Sequence, residues 1–112
     1  MIDYFHYKAL NSALVMLQLD QEYIIIRHML LAGKKVRLHR HPKANEWLVI
    51  GKQSDGTAGF VVTIGEKSQK FLITEGEVVI DFPKNTMHSI EAITDIAYFV
   101  VRDKKDKTVY SR

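Results

Sequence analysis

The chain has 112 residues, 46% of them hydrophobic and 26% charged, with no cysteine and a net charge of +3. This is enough for one domain with its own core, and it excludes intrinsic disorder, disulfides and thiolate chemistry. The excess charge sits at one end: residues 102–112 hold five of the 16 basic and two of the 13 acidic residues, leaving residues 1–101 balanced. A nucleic-acid face needs basic residues spread over the folded surface, and one charged, solvated tail does not supply it. No apolar run approaches the roughly 20 residues of a membrane span. The opening Met-Ile-Asp-Tyr-Phe-His lacks the basic-then-apolar form of a signal peptide, so the expected compartment is the cytoplasm.

Residues 1–12 read as a short helix or an extended arm. Ala13–Leu19 reads as a strand, with a buried helix over 8–19 as the rival, because periodicity does not separate the two in a short apolar run. Asp20-Gln21 turns into a second strand over 22–31, rich in β-branched residues. Gly33 marks a turn before a stretch holding two histidines. If that stretch is extended, His39 and His41 project to the same side. Pro42 has no N–H to give to a ladder and ends the strand. The chain then turns through Lys43, Ala44 and Asn45, and Glu46 opens an apolar run to Ile50, which swings its carboxylate back beside the imidazoles. Asp55-Gly56 signals a hairpin. Strands follow over 60–64, 70–74 and 78–82, the last closed by Pro83; residues 84–86 turn into His88, and a final strand covers 96–101. Short strands punctuated by Gly, Pro, Asn and Asp indicate an all-β antiparallel sandwich or barrel, one domain over 1–112 with its core in 13–101.

Two stretches resemble the paired motifs of the cupin superfamily, antiparallel double-stranded β-helices of the jelly-roll type. Gly33, five residues, His39, Arg40, His41, four residues and Glu46 reproduce the core of the first motif. Gly76, Pro83 and His88 match the glycine, proline and histidine of the second. The two motifs and the segment between them cover residues 33–92. The chain departs from the pattern at four places: Gly51 comes two positions early, six residues rather than five separate Gly76 from Pro83, Asn85 replaces a glycine, and Ala92 replaces an asparagine. Asn tolerates the left-handed turn that the glycine would supply. The resemblance implies four metal ligands, His39, His41, Glu46 and His88, and a homodimer.

Three imidazoles and a carboxylate suit one divalent transition metal, Fe, Mn, Ni, Co, Zn or Cu. An octahedral ion on four protein ligands keeps two open positions, whereas a tetrahedral zinc would be closed and structural. Three functions fit: a metal-dependent enzyme, dioxygenase-like or isomerase-like, on a small polar acid or sugar; a non-catalytic small-ligand binding or sensing protein; and a barrel with a purely structural metal. Arg37 shares the parity of His39 and His41 and is the candidate fork for a substrate carboxylate or phosphate; its competing reading is an exposed arginine at a strand end. Tyr98 and Arg102 share a parity on the final strand, and register decides whether either reaches the pocket. Trp47 faces away from Glu46. His6 and His28 read as structural or surface residues, with His28 lining the cavity only if its strand faces inward. Met1, Met16, Met29 and Met87 read as gap-filling core. No acid or base outside the ligands stands out; Asp81, opposite in parity to Ile80 and Phe82, is the nearest to one.

Overall fold

The computed structural model describes residues 23–111, and the expectations for residues 1–22, including the N-terminal helix, lie outside them. Among the described residues there are only strands: β1 (Ile24–Leu30), β2 (His39–Arg40), β3 (Glu46–Gly51), β4 (Ala58–Ile64), β5 (Lys67–Ile73), β6 (Glu77–Phe82), β7 (His88–Ala92), β8 (Ile96–Arg102) and β9 (Val109–Tyr110). They form two antiparallel sheets, in the orders β1-β8-β3-β6 and β5-β4-β7-β2-β9. From β2 onward nearly every connection carries the chain to the other sheet; the β4–β5 hairpin alone stays within one.

Side chains alternate across a strand, so one parity of each strand fills the space between the sheets. Leu48 and Ile50 of β3, Phe60, Val62 and Ile64 of β4, Ile80 and Phe82 of β6, and Tyr98 and Val100 of β8 are all buried in one cluster. Phe60 stacks on Phe71 at 5.1 Å between ring centroids. At one end of the core these apolar rows terminate in polar groups. Glu46 heads the row of Leu48 and Ile50, His88 heads that of Ile90 and Ala92, and Arg102 ends that of Tyr98 and Val100. Register brings the heads together, with Glu46 opposite Phe82 and Arg102 and His39 opposite His88.

Four expectations change. Gln53 and Gly56 exchange backbone hydrogen bonds in a tight turn, yet β3 and β4, which flank it, lie in different sheets, so Asp55-Gly56 makes no hairpin between paired strands. The histidine strand is regular for only two residues. Met29 is 68% exposed on β1 rather than core. Residues 102–111 are not a solvated tail: Arg102 completes β8, and Val109–Tyr110 adds an edge strand to β2. Lys104, Lys105 and Lys107 point to solvent while Asp103 and Asp106 turn inward, a division that net charge does not reveal.

Burial ranks the core positions. Ile80→Val removes a methyl group from a fully buried site and should cost about 0.5–1.5 kcal/mol, whereas Leu72→Ala on the exposed face of β5 should stay within about 0.5 kcal/mol. Denaturant midpoints of the two variants check this.

Candidate metal centre

His39, His41, Glu46 and His88 are buried together, each with a ligand atom within 4.8 Å of the others. The elements dictate this. β2 places His39 directly across from His88, and Pro42 ends the strand so that the chain returns into β3 with Glu46 facing inward. Asn85 takes the left-handed conformation, with φ of 61°, as the glycine it replaces would. Its N–H donates to the His41 carbonyl at 2.7 Å and its side-chain oxygen accepts from Arg40. The turn before His88 is thereby tied to the histidine hairpin.

The hydrogen bonds fix the tautomers. Nδ1 of His39 lies 2.6 Å from the Arg37 carbonyl, that of His41 3.2 Å from the Lys107 carbonyl, and that of His88 2.9 Å from the Thr86 carbonyl. A carbonyl only accepts, so each Nδ1 carries a proton and each ring turns its Nε2 inward. Burial lowers the pKa of His39 and of His41, against the pull of their carbonyl partners and of Glu46, and favours the neutral rings. His88 is fixed further by stacking on Phe82, 4.3 Å between centroids and 10° between planes.

The inward Nε2 atoms meet a carboxylate. His41 Nε2 is 3.1 Å from one Glu46 oxygen and His88 Nε2 is 3.3 Å from the other, and neither nitrogen has a hydrogen-bond donor to accept from. Burial alone would raise the Glu46 carboxyl, but a hydrogen bond and charge from His88 when its Nε2 is protonated, and then Arg102, which donates from Nε at 2.6 Å, outweigh it and hold the pKa at about 2. Nitrogen lone pairs facing an anion at such distances repel it unless a proton or a metal ion lies between them. Protonating all three rings would crowd three imidazoliums and a guanidinium around one carboxylate out of water, so a single cation shared by the four side chains fits the donor set better.

Beside the cluster opens a cavity of about 160 Å³, lined by apolar Val36, Leu48, Phe82, Ile90 and Val100 and by polar Tyr98, Arg102 and Thr108. Tyr98 and Arg102 therefore both reach it. His28 stands at its wall, stacked on Tyr98 at 5.6 Å. The Tyr98 phenol is pushed up by burial and by the Glu46 charge, which keeps it a neutral hydrogen-bond donor. Arg37 is exposed and lies outside this lining; its guanidinium sits 4.8 Å over the Tyr110 ring and donates to the Ser111 carbonyl at 2.9 Å. Trp47 faces away from the site, edge-on to Tyr23 at 6.2 Å. Asp81 is likewise on the outer face of β6, opposite Trp47.

The C-terminal residues form a strap across the histidine hairpin. Asp106 accepts from the backbone N–H groups of Lys43, Ala44 and Lys107, chiefly the Lys43 bond, and these hold its carboxyl below the ordinary range. Asp103 accepts from both the backbone and side-chain nitrogens of Asn45. The strap thus pins the turn between His41 and Glu46 and presents the Lys107 carbonyl to His41.

No family model and no curated protein matches the sequence. Solved structures do match by shape. A cupin 2 domain-containing protein from Halorhodospira halophila superposes at a TM-score of 0.63 with 13% identity, over 95% of this chain and 68% of that one. Oxalate oxidase in complex with glycolate gives 0.60 and 20%, over 79% and 45%. The capsular polysaccharide assembling protein CapF from Staphylococcus aureus gives 0.60 and 16%, over 80% and 26%. The chain spans less than half of either of these last two proteins. What the matches share is a two-sheet antiparallel jelly roll, here with a His/His/Glu/His cluster between the sheets. The likeness is one of fold, and it extends over 95% of this chain in the cupin 2 domain-containing protein.

If Asp106 organises the turn through its acceptor oxygens, Asp106→Ala should lower the melting temperature and speed amide exchange at Lys43, Ala44 and Lys107. Asp106→Asn, which keeps one acceptor, should fall between the variant and the parent. Hydrogen-exchange NMR separates these outcomes.

Proposed function

We propose that the protein is a metal-dependent enzyme acting on a small polar acid, with one divalent transition metal held by His39, His41, Glu46 and His88. The observation that carries this reading is the pair of buried, unpartnered Nε2 atoms aimed at the Glu46 carboxylate. Backbone acceptors behind each ring set ring orientation and raise ligand basicity, as the outer partners of metal-bound histidines do. The bound ion would supply Lewis acidity toward a coordinating oxygen of the substrate. The cavity beside the cluster gives that oxygen a place to arrive, which favours a working site over a purely structural one.

Within this reading the protein's own residues bind and orient. Tyr98 offers a neutral donor, Arg102 a fixed positive charge, and the aliphatic lining limits solvent. Among the described lining residues Glu46 is the only carboxylate, and it is committed to the cluster. An isomerisation needs a base within hydrogen-bond reach of the proton it moves, and among the described lining residues His28 is the one imidazole outside the cluster to fill that role. Dioxygenase-like chemistry needs no such base and ranks first. The solved oxalate oxidase complex, in which a small hydroxy acid occupies a protein of the same fold, is consistent with an acid as substrate. A homodimer completes the reading. β1 is an edge strand among the described residues, and Ile25, Met29 and Phe99 expose apolar side chains on its sheet, the kind of edge and surface that a second copy covers.

Elemental analysis of protein purified without added metal should find close to one transition-metal ion per chain in the parent and little in His41→Ala. No metal in the parent and no uptake on titration would reject the site. Because burial pushes protonation of His39 and His41 below the ordinary imidazole pKa, competition by protons is displaced downward. Retention of metal should therefore persist below about pH 6.5, the free imidazole value, as checked by metal content after equilibration across pH. Sedimentation should give a dimer that Met29→Glu weakens.

A further inference from the structure

We infer that Arg102 is the specificity determinant of this site and that the substrate it selects is a short-chain carboxylate with a second oxygen donor, rather than a sugar. The inference rests on the metal-site reading above and adds the class of molecule that the cavity takes.

Arg102 stands at the end of β8, directly across from Glu46. Its Nε is spent on a Glu46 oxygen at 2.6 Å, which anchors the guanidinium plane. A guanidinium has five N–H donors in a fixed fork. The four on Nη1 and Nη2 have no acceptor among the described residues, while the side chain lines the cavity and is 20% exposed. An anchored fork with its two terminal nitrogens free matches a carboxylate, which accepts both in parallel.

Charge points the same way. Without a metal, the charges of Glu46 and Arg102 cancel. With a divalent ion the same set carries two net positive charges, and the lining offers no other carboxylate to offset them. In a cavity walled by Val36, Leu48, Ile90 and Val100, that imbalance is resolved best by an anionic ligand. A neutral sugar would leave both charges and the fork unmatched.

The cavity of about 160 Å³ beside the cluster gives a small ligand room to reach both Arg102 and the histidines. Arg102 would take one carboxylate, and the second oxygen donor would lie toward the histidine cluster.

The test is equilibrium binding to the metal-loaded protein, by calorimetry and by the visible spectrum of the Co(II) form, with glycolate, malonate, inorganic phosphate and glucose as probes. The parent should bind glycolate or malonate and ignore glucose, with phosphate weaker than either acid. Arg102→Gln should keep its metal and lose about 10- to 100-fold in carboxylate affinity, the range for a charge-assisted pair. Arg102→Lys keeps a cation near Glu46 without the fork and should lie between; it also serves if the Gln variant folds poorly. Unchanged carboxylate affinity in a metal-loaded Arg102→Gln protein overturns the inference and leaves the metal site standing. Binding of glucose or phosphate in preference to the acids also overturns it. Failure of the parent to take up metal overturns the metal-site reading itself, and metal content measured before any probe is added tells the two failures apart.

Discussion

The structure depends on one electrostatic conflict, a buried carboxylate facing imidazole lone pairs. Three rings are each turned by a carbonyl behind them so that Nε2 points inward, and Glu46 sits between two of those nitrogens with its charge intact. Left alone, such an arrangement is among the more costly that a protein interior can hold. Arg102 relieves part of it from one side. The remainder is a standing preference for a cation, built into the backbone rather than into flexible side chains.

That preference is enforced by strand register. Glu46, His88 and Arg102 are the terminal members of inward-facing rows whose other members are aliphatic or aromatic. A slip of one residue on β3 would put Trp47 and Val49 inside and turn Glu46, Leu48 and Ile50 to solvent. The core therefore holds the site geometry as a by-product of hiding its own apolar surface, and the ligands need no separate means of alignment. His39 is the exception. β2 is too short to be held by its ladder alone, and it depends on β7 on one side and β9 on the other.

This difference explains what could be read from the chain beforehand. The all-β architecture and the meeting of His39, His41, Glu46 and His88 follow from local signals: a period of two, a proline stop, a turn of fixed length, and motif spacings that survive Asn85 in place of glycine because Asn adopts the required positive φ. Arg102 was visible only as a parity, since its pairing with Glu46 is a matter of register between strands over fifty residues apart. The strap was not visible at all. Its aspartates bind backbone N–H groups some sixty residues away, and a charged stretch with lysines outward reads as solvated until those partners are known. Arg37 had the right parity for the cavity, but β9 pairs with β2 and offers Tyr110 and Ser111 to its guanidinium instead.

The strap also bears on whether a metal here would be structural or functional, because the two roles share their supports. A ligand present at a thousand times its dissociation constant stabilises the folded state by about 4 kcal/mol, a large part of the roughly 5–15 kcal/mol available to a small domain. A cation held by His39, His41, Glu46 and His88 would join β2, β3 and β7 across both sheets, and through the Lys107 carbonyl it would also hold down the C-terminal segment. Stabilisation of that size would accompany binding whether or not a reaction follows. A purely structural ion, though, gains nothing from a hollow beside it, and an Arg102 fork with free donors in that hollow adds positive charge where an ion alone would disfavour it. The cavity and its arginine are what a structural role leaves unexplained, and they make sense together once an anion is expected to arrive.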